Sequence, residues 1–201
     1  TAGRFAVIDK NSVYVSIGDL GFSEINNRNK RGDLGSIFKL SKKSAERISQ
    51  GHRNPQGIVL FNNETLIAAE HGPRGGDEIN VIESGGDYGW PFVTHGQPYG
   101  SGDYVRPNKT GTHEGYIEPI KYWVPSIAPT ELVQLPMKGW GTWGGALVLG
   151  TLREQVLVFM KLSEKFKVLE TVQLDVGERI RDLELLSSGA LIATTDSGKL
   201  L

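Results

Sequence analysis

The amino-acid sequence predicts an all-β fold, and three observations carry that prediction. Helical periodicity is scarce along the 201 residues. Short apolar and β-branched runs recur instead, among them "FAVID", "SVYVSIGD", "GIVLF", "TLIAAE", "EINVIE", "ALVLGTL", "QVLVFMKL" and "KVLETVQL", most of them bounded by Gly, Asn, Asp or Ser. Glycine is used 26 times without a low-complexity repeat, which points to many tight turns rather than to disorder. The one stretch that reads as helical, "KKSAERISQ", is short and charged.

The strands recur in pairs. "FAVIDKNSVYVSIGD", "GIVLFNNETLIAAEHG" and "LELLSSGALIATTDSG" each read as strand, polar turn, strand and a small or acidic tail, with Lys10-Asn11, Asn62-Asn63 and Ser188-Gly189 at matching turns. "GGALVLGTLREQVLVFMKL" is a variant fourth copy, with Arg153 where the others carry an acid or Gly-Pro. Recurrence at roughly 40–50 residues suits the blades of a β-propeller, and a generic β-sandwich or an irregular β domain is the alternative. In a propeller the loops at one end of the channel converge, so "EHGPRGGDE", "TLREQ" and "GERIRD" are expected to lie near one another.

Bulk composition narrows the function. The chain carries 22 basic and 23 acidic side chains, which gives no general attraction to nucleic acid or to an anionic membrane. It has no cysteine, hence no disulfide and no thiol chemistry. No apolar run is long enough to span a bilayer, and "TAGRFAVID" has no signal-peptide pattern. One domain, 1–201, is the expectation from length.

Four stretches hold chemistry. In "EHGPRGGDEINVI", Asp77 and Glu78 are hard oxygen ligands, the glycines let carbonyls turn inward, and Pro73 has a carbonyl with no competing N–H. Carbonyls with a carboxylate suit Ca²⁺ better than zinc; a long glycine turn with solvated acids is the alternative. In "GHRNPQG", Arg53 offers a rigid fork of donors and Asn54 a donor–acceptor pair, fitting a planar anionic ligand or a turn that caps its own backbone. In "RIRD", Arg179 and Arg181 alternate onto one strand face, where they repel unless an anion or an acid sits between them. In "GGDYGWPFVTHGQPYG", Trp90 and Tyr99 are stacking candidates for a flat ligand, or core of an ordered loop. His52 and His71 read as structural, and His95 and His113 receive no role.

Taken in series, "GHRNPQG", "EHGPRGGDEIN", "GGDYGWP", "PSIAP" and "RIRD" resemble the soluble PQQ-dependent glucose/sorbosone dehydrogenases, and most nearly their aldose sugar dehydrogenase branch. The resemblance runs over nearly the whole chain. It implies a six-bladed β-propeller with pyrroloquinoline quinone (PQQ) at the channel mouth and Ca²⁺ beneath it. Sugar C1 gives hydride to the quinone while a histidine removes the hydroxyl proton, leaving the lactone. By the same resemblance Arg53, Asn54 and Tyr99 contact or line the cofactor. Arg179 and Arg181 pair with its carboxylates, and Arg153 stands where a Lys or Arg often does. Glu78 and Tyr88 would hold Ca²⁺, with the carbonyls of Gly72 and Pro73 the variant of the glucose dehydrogenase branch. Arg53, Arg179 and Arg181 are thus expected to form one cationic cradle.

The chain also departs from that pattern. Gly3 and Arg4 of "TAGR" sit in the register of the family's "H-x-x-G-R" stretch, so its catalytic histidine would precede Thr1. About four of six blades are expected, with a fragment as the reading, negligible dehydrogenase activity, and self-association through open blade edges. A sugar substrate, an external electron acceptor and a periplasmic or secreted location are implied by the resemblance alone. The alternative is a non-catalytic, Ca²⁺-stabilised propeller that binds a ligand or protein.

Overall fold

The computed structural model describes residues 2–201, so Thr1, beside which the family's histidine is expected, lies outside the described residues. The chain divides into two compact units, 1–126 and 127–201. Among the described residues the only helical turn is a 3₁₀ turn at Gly141–Trp143, and the rest is strand and loop.

The first unit opens with an antiparallel meander of β1 (Phe5–Asp9), β2 (Ser12–Ile17), β3 (Ser36–Ser41) and β4 (Ala45–Gln50). β4 corrects the expected helix. Ser41 Oγ accepts from the N–H groups of Lys43 and Ser44 and turns the chain, so "AERISQ" pairs back on β3. Cross-strand pairing here outweighs the helix preference of Ala, Glu and Arg, whose side chains stay exposed. A second meander follows: β5 (Pro55–Phe61), β6 (Thr65–Glu70) and β7 (Asp77–Val81). The short strands β8 (Gly86–Asp87), β9 (Val93–Thr94), β10 (Lys109–Thr110) and β11 (Lys121–Trp123) complete the unit. β8 adds to the first sheet beside β4, and β11 adds to the second beside β7. Asn62 and Asn63, at φ 52° and 59°, are the central residues of the turn that joins β5 to β6, which the Glu64 N–H closes on the Phe61 carbonyl. Ala6, Ile37, Ile58, Leu66, Ala68, Ile82 and Tyr88 form the apolar core between the strands.

The second unit holds β12 (Pro129–Gln134), β13 (Leu147–Thr151), β14 (Val156–Leu162) and β15 (Val168–Asp175) in one antiparallel sheet. β16 (Ile180–Leu185) and β17 (Leu191–Thr195) make a separate hairpin. β13 is buried along its whole length, which explains its unbroken apolar run, whereas β15 at the sheet edge is exposed almost throughout. The hairpins β1–β2, β5–β6, β13–β14 and β16–β17 are the four recurrent pairs seen in the sequence.

Candidate cofactor and metal site

The loop Glu70–Glu78 joins β6 to β7 and is tied down at both ends. Glu70 and Glu78 face each other directly across the two strands, and both are buried. Two like charges placed opposite on a sheet are destabilising, so each needs a cationic or hydrogen-bonding partner. Glu70 accepts from His52 Nδ1 (2.8 Å), Asn80 Nδ2 (2.9 Å) and the backbone N–H of Arg53 (2.9 Å). Glu78 accepts from His113 Nε2 (2.7 Å) and from the same Asn80 amide (3.1 Å). Burial alone would raise the Glu70 carboxyl, but the charge and hydrogen bond of His52, with the Arg53 and Asn80 donors, hold it below the usual carboxylate range. Burial raises Glu78. His113 is pushed down by burial and further up by its bond to Glu78, and the upward effect wins.

The glycines of the loop have a steric reason. A Cβ on Gly72 would lie 2.2 Å from the Gly75 carbonyl oxygen, and one on Gly76 would lie 2.2 Å from the Gly96 nitrogen. Gly76 also sits at φ +69°. The chain therefore packs against itself and against the 95–97 segment. Asp77, fully buried, closes the loop: its Oδ1 accepts from the Gly72 N–H (3.1 Å) and its Oδ2 from Ser126 Oγ (2.6 Å). Both oxygens of Asp77 are thus engaged in structure, and Glu78 is the acid of this pair that lines the cavity beside Arg53.

Arg53, Gly72, Pro73 and Tyr99 come together from three sequence motifs. Arg53 NH1 donates to the Gly72 carbonyl (2.6 Å) and lies 3.4 Å from that of His71. Tyr99 OH donates to the Pro73 carbonyl (2.7 Å). The Arg53 guanidinium lies 5.4 Å from the Trp90 ring centroid. Asn54 accepts from Gln56 Nε2 (2.8 Å) through its side-chain oxygen and from the His71 N–H through its carbonyl, so it also braces its own turn. Tyr88 stacks on His52 at 4.7 Å, and its hydroxyl donates to Val81 O and accepts from Glu83 N. Burial raises that phenol well above its ordinary value. The phenol being engaged, a cation taken by Tyr88 must use its backbone carbonyl. Arg53, Glu70, Gly72, Glu78, Tyr88 and His113 line a cavity of about 10 Å³, room for one water-sized group.

In the second unit Arg179 and Arg181 share one face, as their spacing predicts, and both reach Asp196. Arg179 Nε donates to Asp196 Oδ2 at 2.7 Å, and Arg181 NH2 to the same oxygen at 3.1 Å. An acid does sit between them. Arg181, then Arg179, draws the Asp196 carboxyl below its ordinary value. Both guanidinium groups are about half-exposed beside that carboxylate. Arg153 is exposed and pairs loosely with its neighbour Glu154 at 3.6 Å.

A family model described as Glucose / Sorbosone dehydrogenase matches residues 1–201. The chain belongs to the glucose/sorbosone dehydrogenase family. Within that family it is 36% identical over 177 residues to Aldose sugar dehydrogenase YliI of Escherichia coli (strain K12), covering 84% of this chain and 46% of that protein. It is 56% identical over 43 residues to Quinoprotein glucose dehydrogenase B of Acinetobacter calcoaceticus, covering 21% of this chain and 9% of that one. A solved crystal structure of glucose dehydrogenase superposes with a TM-score of 0.86 at 28% identity, covering 99% of this chain and 62% of that chain. The fold is therefore that of the β-propeller sugar dehydrogenases, and the chain spans about half the length of the curated relatives it matches.

Sequence reasoning missed His52, Glu70, Asn80 and His113 as a set, and also Asp19 and Tyr104. Asp19 is buried and accepts from Trp90 Nε1 (2.8 Å), from the Tyr104 hydroxyl and from the Gly21 N–H. It thereby fixes the ring over which Arg53 lies. The opposition of Glu70 and Glu78 was available from the hairpin register, because the two acids flank a seven-residue stretch, 71–77. His113 and Tyr104 come from irregular loops and leave no periodic signal.

Proposed function

We infer that this chain supplies the PQQ- and Ca²⁺-binding part of an aldose dehydrogenase that oxidises the sugar C1 to the lactone. The observation that carries the reading is the meeting of Arg53, Gly72, Pro73 and Tyr99, residues of separate motifs, around two backbone carbonyls. The donor set suits the groups it would hold. Asn80 Oδ1 is a buried acceptor with no hydrogen-bond partner, and Arg53 Nε is a buried donor with none. The first suits a cation and the second an anionic ligand. Among the described residues no three His, Cys, Asp or Glu side chains group to hold a metal. A cation here must therefore rely on backbone oxygens, as Ca²⁺ readily does.

In this reading the carbonyls of Gly72 and Pro73, or Glu78 with the Tyr88 carbonyl, hold Ca²⁺. Arg53, Asn54 and Tyr99 orient the cofactor, and Arg179, Arg181 and Arg153 meet its carboxylates through forked or charged donors. PQQ supplies hydride acceptance, sharpened by a Lewis-acid cation on its quinone oxygen. Trp90, fixed by Asp19, gives a flat wall that excludes water. The substrate, an external electron acceptor and an exported location follow from the same reading. No helix among the described residues is long and apolar enough to cross a membrane.

The test is spectroscopic. Adding PQQ and Ca²⁺ to the chain is expected to produce the shifted absorption band of bound quinone. Arg179→Ala with Arg181→Ala is expected to remove it. A band that is absent from the parent chain, or that persists in the double variant, overturns the assignment.

A further inference from the structure

We propose that Arg53 and Tyr99 occupy, as hydrogen-bond donors, the two carbonyls that the divalent cation takes, so that the cation's arrival hands both donors to the cofactor. This rests on the reading of Gly72 and Pro73 as cation ligands. Arg53 NH1 lies 2.6 Å from Gly72 O, and Tyr99 OH lies 2.7 Å from Pro73 O. Two consecutive carbonyls are thus held by donors from two other segments, one of them permanently cationic. Ca²⁺ binds oxygen at about 2.3–2.6 Å. A cation on the Gly72 oxygen and a guanidinium nitrogen on the same oxygen would be near neighbours of like charge, so one displaces the other. Once displaced from Gly72, NH1 keeps only its long 3.4 Å contact to the His71 carbonyl, and Nε is already buried without a partner, so the guanidinium can turn both donors toward an anion. Tyr99 is mostly exposed, and its hydroxyl, held by the Pro73 carbonyl, can turn to another acceptor once that carbonyl is taken. The exchange predicts an order, cation before quinone. It also predicts a coupling by which each ligand tightens the other by the same factor.

The experiment titrates Ca²⁺ calorimetrically into the PQQ-free chain, with tryptophan fluorescence as a second readout because Arg53 lies over Trp90. A Trp90→Phe control assigns the signal. Arg53→Met keeps an apolar stem on the ring and removes the competing donors. It is expected to bind Ca²⁺ roughly fivefold more tightly than the parent, and Tyr99→Phe is expected to bind more tightly by a smaller factor. In the parent, PQQ is expected to tighten Ca²⁺, and in Arg53→Met that coupling is lost. Unfolding curves confirm that each variant is folded, and Arg53→Lys, which keeps charge but not reach, serves if Arg53→Met is not. Equal or weaker Ca²⁺ binding by Arg53→Met overturns the proposal. An affinity that falls with Glu78→Gln but ignores Arg53→Met also overturns it, while leaving the quinone reading in place. Failure of both parent and variant to bind Ca²⁺ removes the proposal together with the carbonyl site, and a surviving PQQ band would separate that result from loss of the cofactor site.

Discussion

Replacing Glu70 by Gln tests the buried polar network that holds the site. The two side chains have nearly the same shape, so packing is conserved and only charge and hydrogen bonding change. Three donors point at the Glu70 carboxylate: His52 Nδ1, Asn80 Nδ2 and the Arg53 N–H. A Gln oxygen in the position shared by His52 and Asn80 keeps two of them but turns its NH₂ toward the Arg53 N–H. The opposite orientation leaves two donors facing NH₂. Either way at least one buried donor loses its acceptor, at about 1–3 kcal/mol, and the remaining bonds lose charge assistance, at about 1 kcal/mol each. Relief of the like-charge opposition to Glu78 returns about 0.5–1 kcal/mol. The net expectation is a loss of about 2–4 kcal/mol, read as a lower urea midpoint at neutral pH with an unchanged slope. A loss below about 1 kcal/mol would refute the claim that these contacts carry the loop. The pH dependence gives a second check. The folded carboxyl sits below its ordinary value of 4.5, so its stabilisation is complete above that pH and drains away as pH falls through the folded value. The gap between parent and Glu70→Gln should therefore narrow in acid.

Other substitutions probe the remaining features. Gly76→Ala places a side chain at φ +69° and a Cβ 2.2 Å from the Gly96 nitrogen, so a loss of at least about 2 kcal/mol is expected, or about 4–8 °C in Tm, by calorimetry. Asp19→Asn puts an amide NH₂ against either the Trp90 and Tyr104 donors or the Gly21 N–H, and should cost about 1–3 kcal/mol with a changed near-ultraviolet circular dichroism from Trp90. Arg179→Ala with Arg181→Ala should leave the unfolding midpoint nearly unchanged, since both pairs with Asp196 are half-exposed, while PQQ uptake fails.

Much of the fold was legible because each hairpin carries its own signals. Asn62-Asn63 flanked by apolar runs gives the β5–β6 turn, and the unbroken apolar run of β13 gives a buried central strand. "KKSAERISQ" misled because local helix preference says nothing of the strand β3 that waits beside it. At the site, the loop glycines and the facing arginines were legible, since both follow from backbone sterics and strand alternation. The partners were not. Asp196 lies 15 residues beyond Arg181, and His113 35 residues beyond Glu78, and such distances are closed only by tertiary folding. Asp77, an equally good ligand on paper, turns its oxygens to Gly72 and Ser126, and it is Glu78 that lines the cavity.

The face-to-face acids of β6 and β7 also act as an alignment key. A six-residue, glycine-rich connection does not by itself dictate how two strands slide past each other. Sliding by a single position would swing Glu70 or Glu78 to the opposite side of the ribbon, away from its imidazole, and would bring an apolar neighbour into the polar chamber. Mispaired hairpins are thereby penalised at the place where an error would scramble the 70–78 segment, so the chemistry that neutralises these two side chains doubles as proofreading for assembly.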